Sequence, residues 1–125
     1  MDLNMKILIA NNFPEIIMII RNILRKIGFT NIKEANSGKT VLRVLKREKY
    51  DLILCDWDMP DMSGMEVLKK IRSDDESKDI PFIMVMAEAQ KDNILESVEA
   101  GVNSIIVKPF SAETVSVKLN KIFGR

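Results

Sequence analysis

Hydrophobic residues along this chain form short unbroken runs that alternate with longer segments of helical period. The apolar runs predict five strands, near residues 5–10, 31–35, 51–56, 80–86 and 104–107. In the segments that follow them, apolar residues recur every three to four positions, which predicts helices near residues 14–27, 37–47, 64–73, 91–100 and 111–123. This alternation is typical of an α/β fold in which helices cover both faces of a parallel sheet.

Right-handed helical crossovers between five strands predict a doubly wound sheet, in which ligands bind outside the carboxyl ends of the strands. One common strand order, 2-1-3-4-5, sets strands one and three side by side. Strand one ends on Asn11 and Asn12, strand three ends on Asp56, and strand five ends on Lys108. We therefore expect these side chains to meet at one edge of the sheet. The two amides also suit the turn and the N-cap before helix one.

The composition narrows the possible classes of protein. A length of 125 residues predicts a single domain with its core over about residues 5–123 and no output domain. A net charge of +1 gives no overall field toward nucleic acid or an anionic membrane. Because no apolar run reaches the ~18 residues of a membrane span and no signal peptide is present, we expect a cytoplasmic protein without membrane insertion. The absence of histidine excludes histidine-based triads and imidazole metal sites.

Several short segments together resemble the receiver domain of bacterial response regulators. The segments are residues 56–60 (Asp-Trp-Asp-Met-Pro), 63–64 (Ser-Gly), 87–89 (Ala-Glu-Ala), 108–110 (Lys-Pro-Phe) and 119–123 (Leu-Asn-Lys-Ile-Phe). The match runs from about Met5 to Phe123, which is nearly the whole chain. The resemblance implies the flavodoxin-like receiver fold, with Asp56 as the phosphoacceptor and Lys108 as the residue that binds the phosphoryl oxygens. It also implies a cis peptide bond between Lys108 and the proline that follows.

The same resemblance places a Mg²⁺ site at Asn12, Asp56 and Asp58, with Asn11 beside it. The family has two acids where this chain has Asn11 and Asn12. Mg²⁺ favours carboxylate oxygens, whereas an amide supplies an oxygen without a charge. One pair of unit charges about 4 Å apart is worth roughly 4 kcal/mol at an effective dielectric constant of about 20. We therefore expect Mg²⁺ binding to be weak or absent.

Two further positions depart from the family pattern. The family has Ser or Thr at the end of strand four and an aromatic residue in strand five, where this chain has Met86 and Ile105. Met86 has no useful hydrogen-bond donor, and Ile105 has no ring to move between two positions. We expect these two side chains to pack together. The resemblance places the partner surface on helix four, strand five and helix five, including Glu88, Lys91, Ile94, Ile105, Lys118 and Lys121.

These observations favour a stand-alone receiver of a two-component or chemotaxis system, which signals by protein contact and is not an enzyme. We expect its partners to be a histidine kinase, a target protein or both, and we expect its Mg²⁺-dependent phosphorylation to be impaired. A phosphorylation-independent pseudo-receiver adaptor is the alternative. A flavodoxin-like cofactor-binding enzyme is a remote third reading, because the chain has no Gly-rich phosphate loop. Exposed apolar side chains expected at Met18 and Ile19 indicate a partner or self-contact, hence a monomer or weak dimer.

Overall fold

The computed structural model describes residues 1–124, which form a five-stranded parallel sheet in the order β2-β1-β3-β4-β5. The strands are β1 (Ile7–Ala10), β2 (Ile32–Ala35), β3 (Leu52–Asp56), β4 (Phe82–Met86) and β5 (Ser104–Val107). The helices are α1 (Pro14–Ile27), α2 (Gly38–Arg47), α3 (Gly64–Arg72), α4 (Ile94–Glu99) and α5 (Ala112–Phe123). The predicted fold class and strand order are confirmed.

Helices cover both faces of the sheet and bury two apolar clusters. Helices α1 and α5 contribute Leu24 and Leu119 to one cluster, while α2 and α3 contribute Val41 and Leu68 to the other. Strands β1, β3 and β4 are buried at every position, which explains why they are apolar apart from Asp56 at the end of β3. Cys55 is fully buried in β3, and burial raises the pKa of its thiol. It is a core residue, as its place in an apolar run predicts.

The signals that begin and end helices act where the sequence places them. Pro14 is the first residue of α1, and Ser37 and Ser111 cap α2 and α5 by accepting a backbone N–H of the first turn. After α1 the chain reverses at Gly28, whose φ of 126° lies in the region that side chains disfavour.

The predicted helix over residues 91–100 is an α-helix only in its second part, and its predicted starting point is wrong. The chain forms a 3-10 helix at Glu88–Asn93, and α4 covers only the six residues that follow. Gln90 explains the tighter start, because its backbone N–H donates to the carbonyl of Ala87 at 2.9 Å and its side chain also bonds to Ala87. The turn therefore closes over three residues instead of four.

Helix α1 has the two faces that its sequence predicts. Ile17, Ile20 and Leu24 are buried against the sheet, whereas Met18 is 59% exposed and Ile19 is 49% exposed. The exposed apolar surface predicted on α1 is therefore present, and its contact with a partner or a second copy stays a prediction. Across residues 1–124, no helix combines the length and the apolar character needed to cross a membrane.

Candidate functional site

The predicted site residues come to one edge of the sheet because parallel strands end at the same side. Asn11 follows β1, Asp56 ends β3 and Lys108 follows β5. Strand β1 is hydrogen-bonded to β3, and adjacent strands lie about 4.8 Å apart. Strand β4 separates β3 from β5, so the side chain of Lys108 reaches across the end of β4.

Asp56 is held in a fixed orientation by two neighbours. Its side chain is 2% exposed, and its Oδ1 lies 2.7 Å from Nζ of Lys108. Its Oδ2 accepts a hydrogen bond from the backbone N–H of Asp58 at 3.0 Å. Burial raises the pKa of the Asp56 carboxyl, and the hydrogen bond and charge of Lys108 oppose this effect. The peptide bond from Lys108 to Pro109 is cis.

The two asparagines at the end of β1 have different surroundings. Asn11 is 1% exposed, and its Oδ1 accepts a hydrogen bond from the backbone N–H of Phe13 at 2.8 Å. Asn12 is exposed. The prediction that an asparagine caps α1 is wrong, because the helix begins directly at Pro14 and Phe13 takes the N-cap position without a side-chain bond. Asn11 forms the predicted turn, and its Nδ2 has no hydrogen-bond partner among residues 1–124.

The carboxylate of Asp58 is bound by a residue that the sequence did not single out. Nε2 of Gln90 donates to Asp58 Oδ2 at 2.8 Å, and Oε1 of Gln90 accepts the backbone N–H of Ala87 at 2.8 Å. We call these two bonds the Gln90 bridge. A glutamine three residues past the N-cap is a signal for the bond to Ala87. The bond to Asp58 has no such signal, since it joins the loops that follow β3 and β4.

Asp61 is a second acid near this edge that is already engaged. Its two carboxylate oxygens accept the backbone N–H groups of Gly38 and Lys39, each at 2.8 Å. The hydrogen bonds from Lys39 and Gly38 hold the pKa of Asp61 below its usual range. Asp61 therefore completes the first turn of α2 from a distant loop, a role that the sequence did not reveal.

Several of the oxygen atoms that could hold Mg²⁺ at this edge are already engaged within the protein. Asp56 Oδ1 faces an ammonium group, Asn11 Oδ1 accepts a backbone N–H, and Asp58 Oδ2 accepts the amide of Gln90. Within the described part of the chain, no three Asp, Glu, His or Cys side chains are grouped to hold a metal ion. Mg²⁺ requires near-octahedral oxygen ligands and favours carboxylates. Asn12 is exposed and adds no charge.

Met86 and Ile105 lie in the same apolar cluster. Met86 is fully buried at the end of β4, and Ile105 packs against the cluster that contains it. In the register of β4 and β5, Met86 pairs with Val107 and Ile105 pairs with Met84. The end of β4 therefore presents an apolar side chain where a hydroxyl would serve as a hydrogen-bond donor.

The predicted partner surface is accessible to solvent, although its first part is a 3-10 helix and not the start of an α-helix. Glu88 and Lys91 are exposed in the 3-10 helix and form an ion pair at 3.1 Å. The remaining members, all at least partly exposed, are Ile94, Ile105, Lys118 and Lys121. Two apolar residues of α4 that the sequence did not single out, Leu95 and Val98, are 70% and 56% exposed.

A doubly wound parallel sheet with a buried aspartate at the end of β3, paired to a lysine after β5, defines a receiver-type signalling domain. Comparison with known protein families agrees with this class, since the response regulator receiver domain model matches residues 7–120. The chain belongs to the response regulator receiver domain family, and the predicted resemblance is confirmed.

Two chemotaxis proteins are similar over almost the full chain. Chemotaxis protein CheY-3 of Vibrio cholerae is 48% identical over 122 residues, which cover 98% of this chain and 94% of that protein. Chemotaxis protein CheY of Pseudomonas aeruginosa is 46% identical over 121 residues, which cover 97% of this chain and 98% of the relative. These matches support the classification as a chemotaxis-type response regulator.

Solved structures agree with the fold. CheY4 of Vibrio cholerae superposes with a TM-score of 0.87 at 26% identity, over 96% of this chain and 99% of its own. A response regulator from Chloroflexus aurantiacus has a TM-score of 0.91 at 24% identity, over 98% and 99% of the two chains, and supports the fold alone. The receiver domain of sensor histidine kinase PA1611 from Pseudomonas aeruginosa, with a magnesium ion in its active site cleft, has a TM-score of 0.86 at 25% identity, over 98% and 99% of the two chains.

Proposed function

We propose that this protein is a stand-alone receiver of a chemotaxis-type two-component system, in which Asp56 accepts a phosphoryl group and signalling proceeds by protein contact. Mg²⁺-dependent phosphorylation is impaired in this proposal. The observation that carries it is the carboxylate of Asp56, which is 2% exposed and paired to Lys108 at 2.7 Å. Single-domain organisation over residues 1–125 and a cytoplasmic location belong to the same proposal.

The pair of Asp56 and Lys108 suits phosphoryl transfer to a carboxylate. A carboxylate oxygen of Asp56 bonds to phosphorus while the bond from phosphorus to the donor breaks, and the donor leaves with that electron pair. Negative charge is spread over the phosphoryl oxygens during the transfer, so catalysis depends on positioning and on positive charge. Lys108 supplies that charge at the end of β5, and the backbone N–H of Asp58 orients the carboxylate.

The side chains that could hold Mg²⁺ at this edge support the proposal that Mg²⁺-dependent phosphorylation is impaired. Asn11 and Asn12 add no negative charge, and the carboxylate of Asp58 is bound by Gln90. Lys108 alone stabilises the transferring phosphoryl group less than Lys108 and a divalent ion together. We therefore expect slow phosphorylation whose rate responds little to Mg²⁺.

We propose that the contact with a target uses α4, β5 and α5. The surface combines the exposed ion pair of Glu88 and Lys91 with the exposed side chains of Leu95 and Val98. Apolar residues surrounded by charged ones are the usual composition of a protein interface. A basic patch with interleaved aromatic residues, which is typical of proteins that bind single-stranded nucleic acid, is not a feature of this surface as described.

A phosphorylation-independent adaptor is the second candidate function. It is favoured by Met86 and Ile105, which lie in one apolar cluster and give the end of β4 no hydroxyl for a phosphoryl group. An adaptor of this kind binds its target through the same surface in one fixed conformation.

Intact-mass measurement of the protein incubated with acetyl phosphate or with a histidine kinase tests the proposal. We expect slow incorporation of one phosphoryl group, a small effect of millimolar Mg²⁺, and no incorporation in Asp56→Asn. Rapid labelling that depends on Mg²⁺ contradicts the impaired site. Absence of labelling from either donor supports the adaptor instead.

A further inference from the structure

The backbone N–H of Ala87 is a hydrogen-bond donor directly after β4, the strand that pairs with β3. The N–H of Trp57 donates to the carbonyl of Val85 at 2.7 Å, which is the last bond from β3 to β4. In a regular parallel ladder the next bond runs from the N–H of Ala87 to the carbonyl of Trp57. That carbonyl instead accepts the N–H of Gly64 at 2.7 Å, since the chain turns away into α3.

The side chain of Gln90 takes up this donor. Its Oε1 accepts the N–H of Ala87 and its Nε2 donates to Asp58, both at 2.8 Å. Helix capping explains the bond to Ala87. It does not explain the bond to Asp58, which joins residues 32 positions apart. The Gln90 bridge therefore connects the loop that continues from Asp56 to the segment that follows β4.

We propose that the Gln90 bridge is an autoinhibitory contact that restricts the binding of a phosphoryl group at Asp56. A phosphoryl group on Asp56 carries charged oxygens that need donors in addition to Lys108. The N–H of Ala87 directly follows the neighbouring strand β4 and becomes available when Gln90 leaves it. This inference rests on the proposed function of Asp56 and assigns Gln90 the role of a positioning residue.

Charge-matched variants isolate the bridge. Asp58→Asn and Asp58→Ala remove the same charge, but only Asn keeps an oxygen that accepts the amide of Gln90. Gln90→Ala removes both bonds of the bridge and has the same net charge as the wild type. Thermal unfolding of each variant establishes that it is folded.

The primary measurement is the apparent Kd of beryllofluoride, a phosphoryl mimic, from the fluorescence of Trp57 in the presence of Mg²⁺. Losing one net hydrogen bond corresponds to a factor of about three to ten. We expect Asp58→Ala to bind the mimic tighter than Asp58→Asn by this factor, and Gln90→Ala to bind it tighter than the wild type. Hydrogen exchange at the Ala87 amide, faster in Gln90→Ala than in the wild type, is the accompanying readout of the bridge itself.

The possible results separate this inference from the proposed function. Equal affinities within both charge-matched pairs, or binding of the mimic by none of the proteins, overturn the inference. If the wild type is nevertheless labelled at Asp56 by acetyl phosphate or a kinase, the proposed function stands without the Gln90 bridge. If the affinities follow the expected order while no donor labels Asp56, the bridge controls the site and the phosphorylation proposal fails.

Discussion

The carboxyl edge of the sheet has two halves, whose buried polar groups are paired in different ways. The acceptor half consists of Asp56 and Lys108, and the amide half consists of Asn11 and Asn12. In the acceptor half, a carboxylate that is 2% exposed is balanced by an ammonium from another strand, 2.7 Å away. In the amide half, the carboxamide of Asn11 is 1% exposed and its oxygen is satisfied by the backbone two residues along the chain. One half depends on a long-range charge pair and the other on a short-range neutral turn.

This difference determines which change disturbs each half. Removing one partner of a buried ion pair leaves an unpaired charge, which costs several kcal/mol when both partners are buried. A neutral amide has no such dependence, although burying an unsatisfied donor such as Asn11 Nδ2 costs about 1–3 kcal/mol. We therefore expect the acceptor half to be sensitive to loss of charge and the amide half to gain of charge.

Lys108→Met should give the largest effect, because it leaves the buried carboxylate of Asp56 without its counter-ion. We expect a loss of about 2 kcal/mol in the free energy of unfolding near neutral pH. This is less than for a fully buried pair, since the side chain of Lys108 is 29% exposed. Urea denaturation of the variant and the wild type measures the difference. The double variant Lys108→Met/Asp56→Asn removes both charges and should recover most of the loss.

The pH dependence of the Lys108→Met effect follows from the raised pKa of Asp56. Burial raises this pKa in the folded state, and removing Lys108 removes the main group that opposes the rise. The unfolded chain titrates near pH 3.9, so between that value and the folded pKa the native state binds the proton more tightly. The buried, ionised carboxylate of Asp56 therefore lowers the free energy of unfolding at high pH, and its protonation removes this effect as the pH falls. We expect the stability difference between Lys108→Met and the wild type to shrink in the same direction. A stability gap that stays constant between about pH 7 and about pH 4 contradicts this account.

Asn11→Asp/Asn12→Asp tests the amide half by adding two negative charges beside Asp56. We expect lower stability without metal, because like charges repel, and recovery with Mg²⁺. A ligand at ten times its Kd adds about 1.4 kcal/mol to the free energy of unfolding. Thermal unfolding with and without Mg²⁺ measures this gain, and Trp57 fluorescence follows binding.

A matched variant, Asn22→Asp/Asn31→Asp, adds the same charge at exposed positions in α1 and before β2. It should show no response to Mg²⁺, and neither should the wild type. Stabilisation of the wild type by Mg²⁺ to the same extent as the Asn11→Asp/Asn12→Asp variant would remove the distinction between the two halves.

The acceptor half could be predicted from the sequence, whereas the contacts that surround it could not. Asp56 and Lys108 end apolar runs, and parallel topology brings the ends of such runs to one edge. The bonds of Gln90 to Asp58 and of Asp61 to Gly38 join loops 32 and 23 residues apart. Side-chain bonds between loops leave no period and no fixed spacing in a sequence. The 3-10 start before α4 is different, because Gln90 lies three residues past Ala87 and that spacing was the local signal for it.

The smallest expected effect concerns transmission from the acceptor half to α4 and β5. A switch requires two states that a ligand distinguishes. Met86 offers no donor to a phosphoryl oxygen, and it shares an apolar cluster with Ile105. We expect saturating beryllofluoride to shift NMR signals mainly in Asp56–Asp58 and Ala87–Gln90, with little change in Ile94–Val107. Met86→Thr supplies a hydroxyl at the end of β4 and should extend the shifts into α4. Large shifts throughout Ile94–Val107 in the wild type would show that the apolar cluster itself carries the signal.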